Sequence, residues 1–160
     1  GKFIAASNAN NIIPEFLKTG QFNPRPSVKT MANAMDVGNP SNYERIMELY
    51  GNTFQLLTSD VRGYFSNDNE IREAIKEIYN KYDYVSDPHS AVGYNAAKAY
   101  DTDGFWLSTA HHAKFREVIE DVFGKQFELP DGLKKFLKKE KHSTPVSADI
   151  EMLKDFLNRI

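Results

Sequence analysis

The run Phe3-Ile4-Ala5-Ala6-Ser7-Asn8-Ala9-Asn10-Asn11-Ile12-Ile13-Pro14-Glu15-Phe16-Leu17 changes character twice. Phe3 to Ala6 is short and apolar, as a buried strand is, and Ser7 to Asn11 is a polar loop. Helical patterning then takes over from Ile12 to about Lys18. Pro14 suits the first turn, where a helix has unpaired N–H groups anyway, and Thr19-Gly20 is the stop. Strand, polar loop and helix in succession point to an α/β fold.

Outward from this run, Asn23-Pro24-Arg25-Pro26-Ser27 reads as a rigid extended loop, because each proline fixes its own φ and turns its predecessor away from helix. Ser41-Asn42-Tyr43-Glu44 has the form of a capping box and opens a helix through Ile46, Met47, Leu49 and Tyr50, closed by Gly51. The next helix starts near Ser66 or Asn67 and runs to about Lys81, with Ile71, Ala74, Ile75, Ile78, Tyr79 and Tyr82 on one face. Asp87-Pro88 supplies N-cap and N1 to a helix through Ala91, Val92, Ala96, Ala97 and Tyr100. Asp101-Thr102-Asp103-Gly104 is a turn, and Phe105-Trp106-Leu107-Ser108 a second short strand. Ala113 to Phe123 is a helix with Gly124 at C′ and a stripe of Phe115, Val118, Ile119, Val122 and Phe123. Two more helices follow, about Asp131 to Lys139 and Ser147 to Asn158. The order predicts an α/β fold of few short strands and mostly helices, too few strands for a complete doubly wound sheet. Residues 1–125 form an incomplete α/β domain and 126–160 a C-terminal helical tail.

Composition narrows the function classes. With 20 Lys+Arg against 22 Asp+Glu the formal net charge is -2, not the basic footprint of a nucleic-acid binder. Cysteine is absent, which excludes disulfides and thiolate metal sites. No apolar run reaches the ~20 residues of a membrane span, and no signal-peptide pattern opens the chain, so the expected setting is the cytoplasm. Gly1 leads straight into a strand without an initiating Met, as expected of a cut inside a longer protein or of a processed tag. The Lys134 to Lys141 charge run reads as a solvated helix face.

Ligands of open α/β sheets bind beyond the carboxyl ends of strands. Two loops have that position: Ser7 to Asn11, and Ser108-Thr109-Ala110-His111-His112. Their polar side chains suit either ligand contact or capping of the helices that follow. His111 and His112 are adjacent and point about 100° apart on a helix, so with no cysteine and no third ligand a metal site is not expected. His89 follows a helix-starting proline and reads as a structural hydrogen-bonder or a catalyst, and His142 as a solvated connector residue. Gly-rich phosphate loops, nucleophile elbows and metalloprotease signatures are absent from the sequence.

Three segments resemble the threonine synthase family. They are residues 3–17 quoted above, residues 33–45 (Asn33-Ala34-Met35-Asp36-Val37-Gly38-Asn39-Pro40-Ser41-Asn42-Tyr43-Glu44-Arg45), and the pair formed by Asp87-Pro88-His89-Ser90-Ala91-Val92-Gly93 and Leu107-Ser108-Thr109-Ala110-His111-His112-Ala113-Lys114-Phe115. Their order and approximate spacing agree with the family up to about Phe123, and the last part of the chain is alike only in general character.

The resemblance implies the C-terminal portion of a fold-type-II enzyme that uses pyridoxal 5'-phosphate (PLP). Such an enzyme converts O-phospho-L-homoserine and water to L-threonine and phosphate. The family's Phe-Lys-Asp segment, which carries the Schiff-base lysine, and its Gly-Asn-Phe-Gly-Asn phosphate loop do not occur here. By the resemblance, no catalytic residue lies in this chain, the missing N-terminal part of the same protein is its partner, and the chain alone is expected to be inactive.

The resemblance further implies that Thr109 hydrogen-bonds the cofactor's pyridine nitrogen, with Ser108 beside it and Asn8 and Asn10 near the cofactor. Lys114 and His111 are the implied substrate contacts. Asp36 and Arg45 match the family but read as structural. The family commonly has proline where this chain has His112, so the local helix start is a point of departure. Alternatives are another fold-type-II enzyme, a threonine-synthase-like protein without catalysis, or a freestanding helical binding module.

Overall fold

The computed structural model describes residues 2–100 and 103–159. The chain divides between Phe127 and Glu128 into two compact units. In the first, strand β1 (Phe3–Ser7) runs into helix α1 (Ile12–Thr19), which Gly20 ends in the left-handed conformation at φ 76°. A long loop and a 3₁₀ turn over Asn33–Met35 lead to α2 (Tyr43–Leu49) and α3 (Phe54–Asp60). Strand β2 (Val61–Phe65) follows α3 without a break and pairs in parallel with β1, Phe3 opposite Val61 and Ser7 opposite Phe65. Helices α4 (Asp68–Tyr82), α5 (Pro88–Ala99) and α6 (Arg116–Phe123) complete the unit.

The result is mostly helix around a parallel two-stranded sheet, in keeping with the expected α/β class. Its second strand corrects the sequence reading. Residues 105–108 are not a strand, and Val61–Phe65, which that reading left without an element, is. Arg62 and Gly63 interrupt the apolar run of β2, so its strand character comes from non-local pairing. Phe105 and Leu107 are 88% and 76% exposed, and no neighbouring strand is present among the described residues to pair this segment. Asp101 and Thr102 of the expected turn lie outside the described residues.

Ile71, Ala74, Ile75 and Ile78 of α4 pack with Ala91, Val92 and Tyr94 of α5 and Ile119 and Val122 of α6 to form the core. Small residues let α5 sit close to its neighbours; against Gly93 a Cβ would lie 3.1 Å from the Trp106 ring. Helix α1 contacts both strands, and at Gly63 a Cβ would fall 2.6 Å from Pro14 Cα, so only glycine fits there. A second apolar centre joins Phe16 edge-on to Phe22, Tyr43 and Phe54, with Phe22 stacked on Tyr43 at 3.7 Å.

Two local expectations shift. The capping box is at Asn67 and Glu70, opening α4, whereas α2 starts after Asn42 with no side-chain cap. Tyr43 N donates to Pro40 O at 3.1 Å, so a turn after the proline occupies Ser41 and delays the helix. The helix expected from Ala113 begins as a 3₁₀ turn over His112–Phe115 and becomes α-helical only at Arg116. In the second unit α7 (Asp131–Leu137) and α8 (Ile150–Leu157) are shorter than expected. Lys134, in the charge run, pairs with Glu128 at 2.8 Å and Asp131 at 3.2 Å.

Candidate functional site

The loop after β1 is closed by a buried amide network. Asn8 is fully buried; its Nδ2 donates to Thr30 Oγ1 at 2.7 Å, Ala32 O at 3.1 Å and Asp36 Oδ1 at 2.8 Å. Its Oδ1 accepts from Asn10 N at 2.8 Å and Asn10 Nδ2 at 3.0 Å. Asn10 in turn donates to Val28 O at 2.9 Å and Asp36 Oδ1 at 3.1 Å, while its own Oδ1 accepts from Val28 N at 2.8 Å. Asp36 also accepts from Thr30 N and Thr30 Oγ1. Asn8 and Asn10 are therefore engaged inward, strapping the 28–36 segment over the end of β1. A cleft of about 440 Å³ lies alongside, lined by Ala5, Ser7, Asn10, Met35 and Val37 among others.

The second polar group grows from the start of α5. Asp87 is 1% exposed and caps the helix, its Oδ1 accepting from His89 N at 2.9 Å and Ser90 N at 3.2 Å. Burial alone would push its carboxyl up, but the bonds from His89 and Ser90 outweigh that and hold it below the ordinary carboxylate value. His89 Nδ1 lies 3.2 Å from the same oxygen, and its Nε2 accepts from Ala34 N at 3.0 Å. That backbone donor fixes the tautomer: Nε2 is bare and Nδ1 carries the proton toward Asp87. His89 is thus the structural hydrogen-bonder of the two sequence readings. It also packs on Phe115, ring centroids 4.6 Å apart.

Ser90 Oγ donates to Asp87 Oδ2 and lies 3.0 Å from Ser108 Oγ, which is itself 3.3 Å from the Tyr84 hydroxyl. Ser108 is thereby tied to α5, and Thr109 next to it is exposed. The loop no longer sits at the end of a strand, because residues 105–108 have none. His111 Nδ1 accepts from Ala113 N at 3.1 Å, capping the 3₁₀ turn, and Lys114 is exposed with its ammonium 5.5 Å from the Phe115 ring centre. His112 is half-buried between His111 at 4.1 Å and Phe127 at 5.9 Å; burial, then the neighbouring His111, lowers its pKa.

The structure brings Asn8 and Asn10 together with Asp36, and Ser108 together with Ser90. His89 bridges the two groups through Ala34. The sequence reading missed Asp87, Ser90 and Tyr84 as members of the site. Asp87 and Ser90 stand at i and i+3 around a helix-starting proline, a legible cap, but the partner at 108 is too distant for any local rule. Arg45 is an exposed residue on the face of α2. Among the described residues no group of three or more acidic, histidine or cysteine side chains is arranged to hold a metal, and no helix is long and apolar enough to cross a membrane.

Residues 90–157 match the family model "Threonine synthase, C-terminal", so the likeness extends beyond Phe123, where the sequence reading saw only general character. Over 160 aligned residues the chain is 36% identical to the threonine synthase of Haemophilus influenzae, covering 98% of this chain and 37% of that protein. The crystal structure of threonine synthase from Escherichia coli superposes with a TM-score of 0.83 at 32% identity, over 99% of this chain and 37% of that one. PLP-bound threonine synthase from Brucella melitensis gives the same TM-score at 22% identity, covering 99% and 40%, and so shares the fold. Fold and matches together define the chain as an α/β chain equivalent to one part of longer proteins. It belongs to the threonine synthase family and corresponds to the C-terminal portion of its members, spanning 37% of the length of the Haemophilus relative.

Proposed function

We propose that the protein containing this chain is a cytoplasmic, PLP-dependent threonine synthase. It makes L-threonine and phosphate from O-phospho-L-homoserine and water, and this chain supplies the ring-nitrogen end of the cofactor site. Family membership supports the activity. The observation that carries the chain's own share is the exposed Thr109 directly after the tethered Ser108. When bound, PLP supplies the electron sink for chemistry at the amino acid's carbons.

Thr109 fits a pyridine partner chemically. Its hydroxyl donates to the ring nitrogen and leaves it unprotonated, whereas a carboxylate at this position would favour the protonated form. Ser108 Oγ, already shared with Ser90 and Tyr84, orients the turn. Asn8 and Asn10, with their amides engaged inward, act near the cofactor by shaping the loop after β1. Lys114, exposed at the following 3₁₀ turn, is assigned to the substrate phosphate, with His111 holding that turn. The lysine that carries the cofactor and the cradle for its phosphate come from the rest of the protein, so the chain alone is inactive.

The test is threonine and phosphate formation from O-phospho-L-homoserine by the complete protein, alongside the absorbance of bound PLP. Thr109→Val should lower kcat by ~10- to 100-fold, the value of one hydrogen bond to a charged or polarised site, and shift the melting temperature little. Equal losses of turnover and stability would make Thr109 a cap instead. Covalent uptake of PLP by the isolated chain through one of its own lysines would contradict the division of labour.

A further inference from the structure

We infer that Asp87 is a positioning residue for the Ser108–Thr109 turn, holding Ser108 through Ser90 and the 33–35 turn through His89; the inference rests on the proposed role of Thr109. Apolar burial does not fix this turn. Phe105 and Leu107 are exposed, and residues 103–109 have no strand pairing among the described residues. The Trp106 ring packs against Tyr94, centroids 5.6 Å apart, and beside Gly93, and the Ser108 hydroxyl meets Ser90 and Tyr84.

The direction of the Ser90–Ser108 bond follows from proton counting. An ionised Asp87 has only acceptors, so the Ser90 hydroxyl spends its single proton on Oδ2. At 3.0 Å from Ser108, Ser90 Oγ must then accept, which makes Ser108 the donor and leaves its oxygen to accept from Tyr84 at 3.3 Å. The hydroxyls of Tyr84, Ser108 and Ser90 thus run one way into a buried carboxylate, and bonds ending on an ionised acceptor are about twice as strong as neutral ones. The same carboxylate receives His89, whose other nitrogen holds Ala34 N, two residues from Asp36 in the Asn8 network. One charge therefore links both loops that flank the proposed cofactor site. Thr109 Cα lies one peptide unit from the held residue, and a misplacement of ~1 Å in such a site lowers turnover on the order of 100-fold.

Ser90→Ala in the complete protein cuts the tether while leaving the Asp87 cap, because the backbone donors of His89 and Ser90 remain. PLP affinity of the apoprotein is measured by absorbance titration, with the apoprotein melting temperature and the kcat and KM for O-phospho-L-homoserine. Ser90→Ala should weaken PLP binding ~5- to 10-fold and lower kcat with KM near wild type; it also lowers the apoprotein melting temperature through the lost bond to Asp87, whereas Ser108→Ala, which keeps that bond, should melt as wild type does. Ser108→Ala should weaken PLP binding likewise, and the double variant should lose little more affinity than either single one, since both break the Ser90–Ser108 bond. PLP affinity within twofold of wild type in Ser90→Ala, affinity losses that add in the double variant, or a large fall in the apoprotein melting temperature of Ser108→Ala would each overturn the inference. Uptake of no PLP by the wild-type protein would instead overturn the functional reading, and this inference with it.

Discussion

Asn8→Ala isolates the network behind β1. Most partners of Asn8 keep another bond after truncation. Asp36 retains Asn10 Nδ2, Thr30 N and Thr30 Oγ1, and Ala32 O retains Met35 N at 3.0 Å. The group left stranded is Asn10 N, whose acceptor was Asn8 Oδ1. A buried donor without a partner costs ~1–3 kcal/mol and the lost bonds about another 1, so Asn8→Ala should destabilise by about 3 kcal/mol. Asn8→Asp separates the amide's two ends. It keeps the acceptor for Asn10 but sets a second carboxylate oxygen where Nδ2 stood, 2.8 Å from Asp36 Oδ1. Like charges at ~4 Å already repel by about 4 kcal/mol at an effective dielectric of about 20, so Asn8→Asp should be the worse variant at pH 7. Urea unfolding followed by far-UV circular dichroism measures both, provided the m-value is unchanged. If Asn8→Asp proved milder than Asn8→Ala, the amide would be oriented the other way and the assigned donors would be wrong.

Gly63→Ala should destabilise by ~1–3 kcal/mol in the same assay, because its Cβ meets the backbone of Pro14 at 2.6 Å and neither chain segment has a flexible end to withdraw; an unchanged urea midpoint would show that α1 can retreat from β2. Asp87→Asn tests the depressed carboxyl. A group whose pKa is lower in the folded state adds stability above its unfolded pKa, about 3.9, and loses it as the pH falls through the folded value. The wild-type advantage over Asp87→Asn should therefore be largest near pH ~7 and narrow below about 4, read as urea midpoints at each pH.

The parts of the fold that the sequence announces are those governed by neighbours within one helical turn. The stripe of Ile71, Ala74, Ile75 and Ile78 defines α4, Asp87-Pro88 opens α5, and Gly20 and Gly124 end their helices in the left-handed conformation. Strand β2 escapes because its stability comes from β1, more than fifty residues earlier, while its own Arg62 and Gly63 look unlike a strand. Phe105-Trp106-Leu107-Ser108 misleads for the converse reason. Its composition is that of a strand, but strand conformation requires a paired neighbour, and among the described residues there is none.

The site divides along the same line. Thr109, Ser108, Asn8 and Asn10 are all visible in the sequence as polar residues next to apolar runs, yet a string of letters does not distinguish a hydroxyl turned outward from an amide sealed inward. Asn8, with no exposed surface, and Thr109, exposed, are drawn from the same class of candidate. What separates them is the count of donors and acceptors each meets after folding. Asn8 meets five polar atoms and has no capacity left for a ligand. The carboxylate of Asp87 looks from sequence like a helix cap and nothing more. Only the arrival of Ser108 at Ser90 gives that cap a second task, and because this contact spans eighteen residues, it is a property of the fold that no local pattern encodes.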